Sequence, residues 1–234
     1  MSYQSISEHL TKLANPDIAA HSQRFFKTAK GEYGYGDKFL GIRVPVLRQQ
    51  VKHFKKVPLK TAEQVLSSPY HEIRLFALLL LVYRFKRANE TEREAIYRLY
   101  LSNTQHINNW DLVDTSAHVI VGGYLLNRDK TPLTQLANSQ VLWERRIAII
   151  ATLHFIKYEQ YQPTLAIAEI LLNDDHDLIH KAVGWMLREL GKRDLTLEQK
   201  FLQQHYQKMP RTMLRYSIEK FTKEQRDKYL HGLV

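Results

Sequence analysis

His71-Glu72-Ile73-Arg74-Leu75-Phe76-Ala77 returns as Trp143-Glu144-Arg145-Arg146-Ile147-Ala148-Ile149, with Arg74 in register with Arg146, 72 residues later. Trp110 lies midway between them, and Lys181 and Arg215 follow Arg146 at steps of 35 and 34 residues. A recurrence in the mid-thirties, near the starts of successive helical stretches, is the spacing of stacked helix pairs. The expected fold is therefore all-α: an α-solenoid of about six to seven HEAT-like helix pairs, forming a single domain over residues 1–234. Equivalent positions in such a stack align along one face. Arg74, Trp110, Arg146, Lys181 and Arg215 are then expected to form a row on a basic concave face, suited to the phosphates of a duplex.

Patterning along the rest of the chain agrees. Seven prolines and nine glycines are few for 234 residues, and helical periodicity dominates over strand-like alternation. A first helix is expected from Ser5 to Ala14, ended by Asn15-Pro16, and a second from Asp17 to Thr28. Pro45 suits the first turn of a third. The helix from Trp110 to Leu126 is expected to bend or end at Gly122-Gly123. In the helix from Asp175 to Leu190, the apolar stripe is Ile179, Ala182, Val183, Met186, Leu187 and Leu190, and Gly191 is expected just past its end as a C′ residue. Trp185 falls beside that stripe, flanked by Lys181 and Arg188. The main irregular segment is Lys30-Gly31-Glu32-Tyr33-Gly34-Tyr35-Gly36-Asp37. No Gly-Lys-Ser/Thr follows it and no strand leads into it, so it reads as a structural loop and not a phosphate cradle.

Charge and composition narrow the function. Thirty-four Lys and Arg against 24 Asp and Glu give +10, which favours a polyanionic partner, nucleic acid first. The absence of cysteine excludes disulfides, thiolate metal sites and cysteine nucleophiles. The longest apolar run, Leu75 to Tyr83, is nine residues, too short to span a bilayer. No HExxH, GxSxG, SxxK or dinucleotide fingerprint appears. The chain is thus expected to be cytoplasmic, with no membrane association, no metal and no cofactor.

The stretch that calls for chemistry is Asn108-Asn109-Trp110-Asp111-Leu112-Val113-Asp114. Asn108 or Asn109 can cap a helix, and Asp111 suits its positive end. Asp114 lies a turn further in, where Asp is a poor helix former. Trp110, Asp114 and His118 are spaced by four and share one ridge. An indole beside a carboxylate is a receptor for a flat cation. Each residue also has a plainer reading: Trp110 as packing, Asp114 as the partner of an arginine such as Arg146, Trp185 as cover for a groove, His118 as an ordinary polar side chain.

Taken together, Phe39-Leu40-Gly41-Ile42-Arg43-Val44-Pro45, Asn109-Trp110-Asp111-Leu112-Val113-Asp114, Glu144-Arg145-Arg146-Ile147-Ala148 and Ala182-Val183-Gly184-Trp185-Met186-Leu187-Arg188-Glu189 make the chain resemble the AlkD family of bacterial DNA-alkylation-repair glycosylases over essentially its whole length. The resemblance implies excision of N3- and N7-alkylated purines. It implies that Trp110 and Trp185 frame the lesion nucleotide, that Asp114 is the catalytic carboxylate, and that Arg146 holds the backbone near the lesion. Arg43 and Arg188 match positions that touch DNA elsewhere. Phe25 stands where some members carry a tyrosine. The resemblance further implies a monomer that acts on alkylated duplex DNA and leaves the lesion stacked, since a solenoid groove offers no obvious pocket. The alternative is a non-catalytic module of the same build that binds damaged or branched nucleic acid.

Overall fold

A computed structural model describes residues 2–234. Among the described residues there is no strand, and an isolated bridge between Lys38 and Tyr70 is the extended pairing recorded. The fold is all-α and built from repeated helix pairs. The chain divides into two compact units, the first ending at Ile120 and the second running Val121–Val234.

In the first unit the helix His71–Phe85 is the centre. Every residue from His71 through Leu81 is buried, so the helix has no solvent face and its apolar residues surround it on all sides. The helices Val44–Phe54, Leu59–Leu66, Glu90–Ser102 and Trp110–Ala117 pack around it. Local sequence sets the entries. Asn15 accepts the Asp17 and Ile18 N–H groups at 3.0 and 3.1 Å ahead of Pro16, and Pro45 sits in the first turn of Val44–Phe54, where a missing N–H costs nothing. The helix starting at Trp110 is regular only to Ala117; it continues as a π-helical segment, His118–Gly122, before Gly123–Leu125. The expected bend near Gly122-Gly123 is thus a change of helical winding.

In the second unit Leu142–Lys157, Asp177–Gly191 and Arg211–Ser217 pack side by side, with Thr131–Ala137 against the first of them and Gln162–Ile170 and Leu195–His205 against the second. The starts of these inner helices, with those of His71–Phe85 and Trp110–Ala117 in the first unit, carry the mid-thirties period of the sequence. The stripe Ile179, Ala182, Val183, Met186, Leu187 and Leu190 is fully buried, and Trp185 beside it is half-buried. Gly191 departs from expectation. It is the last helical residue, not a left-handed cap, and Lys192 closes the helix in right-handed geometry. A Cβ at Gly191 would lie 1.7 Å from Glu198 Oε2, so any other residue there requires the Glu198 carboxylate to move aside.

Glu198 is itself buried, and burial pushes its carboxyl up to about 8 against the opposing charge of Arg188. An acid whose folded value is raised loses stability as pH climbs from its ordinary value through the folded one. Glu198→Gln is therefore expected to stabilise the protein above about pH 8 relative to wild type and to matter little in mild acid, as read by urea denaturation at the two pH values.

No helix of the described residues is long and apolar enough to cross a membrane.

Candidate nucleic-acid interface and aromatic cleft

The Asn108–Asp114 stretch is organised by residues far away in sequence. Asn109 caps the helix, its Oδ1 accepting the Trp110 N–H at 2.8 Å. Asn108 points elsewhere, its Nδ2 donating to Asp37 Oδ1 at 3.3 Å and its Oδ1 accepting from Arg74 at 3.0 Å. Asp111 does more than answer the helix dipole. Its Oδ2 is 2.8 Å from Nε2 of His71, whose Nδ1 is 3.1 Å from Asp37 Oδ2. One imidazole thus bridges the loop before Lys38 and the first turn of the helix that bears Trp110 and Asp114.

His71 is 1% exposed. Burial alone would drive off its proton, but the Asp111 charge and hydrogen bond, with the Asp37 hydrogen bond, outweigh that and the nearby Arg74, raising the group to about 9. His71 is therefore an imidazolium at neutral pH. Its ring packs against both Phe39 (centroids 4.7 Å apart) and Phe26 (4.9 Å), which also stack on each other at 5.3 Å, and this adds cation–π attraction. Burial works against the Asp37 carboxylate too, yet the His71 hydrogen bond and the Arg74 and His71 charges hold it below the usual carboxylate range. The Gly/Tyr loop exists to deliver Asp37. It turns through Gly31 and Gly36 at positive φ, and Gly34 passes so close to the preceding helix end that a Cβ there would lie 2.4 Å from the Phe26 carbonyl oxygen. Gly34→Ala is expected to displace the loop and cost about 1–3 kcal/mol, measurable by urea denaturation.

Trp110 is half-buried. Its indole stacks on Phe26 (5.4 Å, 28°) and meets Phe25 edge-on (5.9 Å, 69°). Asp114, one turn on, is half-exposed. It lies close enough to buried Tyr100 that its charge adds to burial in raising the phenol, against the Ser116 hydrogen bond. His118 follows on the ridge and bonds the Asp114 carbonyl through Nδ1 at 3.2 Å. The ridge read from the four-residue spacing is present.

The row of cations is not. Arg74, expected to contact DNA, is 4% exposed. Its Nη1 donates to the Ser68 carbonyl at 3.0 Å, and its Nη2 to Asp37 at 2.7 Å and to Asn108. It is a buried partner for Asp37, because a lone carboxylate at that depth would be costly. Arg146, expected to hold the DNA backbone, is 5% exposed and donates from Nη1 to the Leu178 carbonyl at 2.5 Å. It ties neighbouring helices of the second unit together. Arg43 is exposed at the N-cap of Val44–Phe54, and Arg215 is exposed. Lys181 is half-exposed and pairs with Asp177 at 2.6 Å. Arg188 pairs with Glu219. Trp185 is steered by Glu189, whose Oε1 accepts the indole N–H at 3.2 Å. Burial would raise the Glu189 carboxyl, but Lys192 first, then Trp185 and Arg188, lower it. Trp110 and Asp114 belong to the first unit; Arg146, Lys181, Trp185, Arg188 and Arg215 belong to the second.

The first unit also contains a cleft of about 630 Å3, contrary to the expectation that this fold offers no pocket. Phe25, Phe26 and Phe39 line it, with His71 and Asp111 among its polar groups and Arg43 at its edge. Sequence reasoning missed His71, Asp37 and this cleft. One signal was available: His71 heads the repeat whose second copy begins with Trp143, so an ionisable ring replaces an apolar one at a packed position. No group of three or more His, Asp or Glu side chains is placed to hold a metal ion among the described residues.

Comparison with known proteins gives a consistent result. The family model described as "DNA alkylation repair enzyme" matches residues 6–221. A solved structure described as a predicted DNA alkylation repair enzyme from Enterococcus faecalis superposes with a TM-score of 0.68 at 19% identity, covering 90% of this chain and 97% of that one. Among curated proteins no match is found.

Proposed function

Because the chain belongs to the DNA alkylation repair enzyme family, we propose that it hydrolyses the N-glycosidic bond of N3- and N7-alkylated purines in duplex DNA. The observation that carries this reading is the Trp110–Asp114 ridge, a half-exposed carboxylate one turn from an indole, on a helix whose first turn is anchored by His71.

The chemistry needs little else. Alkylation at N3 or N7 leaves the purine positively charged, so it departs without a general acid. Positive charge then develops on the sugar as an oxocarbenium-like ion. An ionised Asp114 stabilises that charge and orients the attacking water. The indole of Trp110 favours a cationic sugar or base through its π face. Water, not a lysine amine, is the nucleophile, and the product strand keeps an abasic site. Exposed Arg43 and Arg215, within a chain of net charge +10, supply the phosphate contacts.

The test is release of free 7-methylguanine from alkylated duplex, measured against an enzyme-free control for spontaneous depurination. Release well above the control supports the reading. No release, repeated with an N3-methyladenine substrate and with salt-sensitive duplex binding intact, would replace it with the non-catalytic binding module.

A further inference from the structure

Position 71 stands apart within its own repeat. Three residues before Trp110, Arg146, Lys181 and Arg215, the counterparts of His71 are Ile107, Trp143, Leu178 and Thr212. None of them ionises. Ile107 and Trp143 are buried packing residues, and an apolar ring would fill the place of His71 as well. Instead a charged imidazole, 1% exposed, joins two carboxylates, with Nδ1 3.1 Å from Asp37 and Nε2 2.8 Å from Asp111. Stability does not account for this choice, because a buried ionic cluster gains little over apolar residues of similar volume.

The bridge needs the charge. A neutral imidazole has one N–H and donates to one carboxylate, whereas the imidazolium donates to both. The groups that face the ring are Asp37 from the loop before Lys38, Asp111 from the helix Trp110–Ala117, and Arg74 one turn along its own helix. Glu72, next in the chain, is turned to the Leu40, Gly41 and Ile42 N–H groups at 2.9, 2.7 and 3.3 Å. Asp17, His21 and Arg43 line the same cleft. Two carboxylates against one guanidinium keep the proton on the ring at neutral pH.

The bridge reaches the ridge by two routes. One is ionic. Asp111 follows Trp110 directly and lies three residues before Asp114, about 4.5 Å along the helix axis, so the bond to His71 fixes the turn from which Asp114 projects. The other is aromatic. His71 packs on Phe26 at 4.9 Å, and Phe26 stacks on Trp110 at 5.4 Å. The regular helix is eight residues long and passes into the π-helical segment His118–Gly122, so its start is where its placement is set.

We propose that His71 is a positioning residue for base excision: it does not touch the DNA, and its contacts with Asp111 and Phe26 set where the Asp114 carboxylate and the Trp110 indole stand against the lesion. This role rests on the glycosylase reading. It falls on the rate of bond cleavage and not on duplex affinity, since the phosphate contacts come from other side chains.

Single-turnover release of 7-methylguanine from duplex DNA, with saturating protein, tests this on wild type, His71→Gln, Asp111→Asn and the double variant. Near neutral pH each single variant is expected to release base about tenfold more slowly, with duplex affinity held within about twofold. The double variant should be no slower than the slower single, because both changes break one bridge, whereas independent effects would multiply. The advantage of wild type over Asp111→Asn should close as pH rises through about 9, where the ring loses its proton. The ratio of two enzymes on one substrate cancels any titration of the lesion itself. A purely structural role would lower the urea midpoint without these rate effects. Asp111, whose side chain is 15% exposed, keeps the test decisive if His71→Gln folds poorly. Wild-type rates in folded Asp111→Asn, multiplied losses in the double variant, or an advantage that persists to about pH 10, well above the folded value of the ring, would overturn the proposal and leave the glycosylase standing. No release by the wild type removes both.

Discussion

Asp114→Asn is expected to lower single-turnover base release by about 100- to 1,000-fold while leaving duplex affinity intact. The substitution keeps the shape and removes the charge. The neutral amide can still orient water, but it no longer answers the positive charge that grows on the sugar as the bond breaks. Because the leaving base is already cationic, its departure owes nothing to an acid, so the electrostatic contribution of this one carboxylate carries most of the acceleration. Binding should hold or tighten slightly, since a negative charge is removed from a surface that meets phosphates. Folding should be little changed at a half-exposed position. Filter binding and denaturation of the same variant separate these effects. A variant that released base at the wild-type rate would remove Asp114 from the mechanism.

His71→Ala is expected to cost about 3–5 kcal/mol of stability, because deleting one member of a buried ionic cluster leaves the others without compensation. Asp37 would keep Arg74, but Asp111 would lose its partner, and with it the helix start at Trp110 would lose its tie to the His71–Phe85 helix. The pH dependence follows from the same group. Its folded value is raised from 6.5 to about 9. The stabilisation is thus complete below about pH 6.5 and lost as pH rises through about 9, a window worth roughly 3 kcal/mol. Wild-type stability should fall across that window, and His71→Ala should remove this part of the fall. The Glu198 contribution lies lower, between its ordinary 4.5 and about 8, so Glu198→Gln and His71→Ala should flatten different parts of the curve. Equal slopes in wild type and His71→Ala would show that the imidazole titrates normally.

Much of the fold was legible because repeats write their period into the sequence. The spacing through Arg74, Trp110, Arg146, Lys181 and Arg215 marks the inner helices, and the stripe from Ile179 to Leu190 marks a buried face. Pro45 marked a helix start by local chemistry alone, and Asn15-Pro16, read as the end of the first helix, proves to cap and open the second. What the period could not say is which way a side chain at a repeat position turns. Arg74 turns inward because Asp37 waits there, brought by a loop whose closeness to the Phe26 carbonyl depends on Gly34. Arg146 turns inward to a backbone carbonyl 32 residues on. Both partners are distant in sequence, and a cationic pattern reads the same whether it faces solvent or a carboxylate. The cleft was hidden for a related reason. Phe25, Phe39, His71 and Asp111 come from four separate segments, and no local window contains the set. Gly191 shows the opposite error: a local rule for helix ends placed it as a left-handed cap, whereas it stays helical against the Glu198 carboxylate.

The central claim is that the positive charge of the lesion, met by Asp114, drives base loss. The most direct test sets a cationic lesion against a neutral one in the same duplex: excision of N7-methylguanine compared with excision of hypoxanthine by the wild-type chain in excess over substrate. Release of free 7-methylguanine well above spontaneous loss, with hypoxanthine left in place and the product strand unbroken until alkali treatment, is the predicted result. Comparable release of both bases, or strand cleavage without alkali, would contradict it.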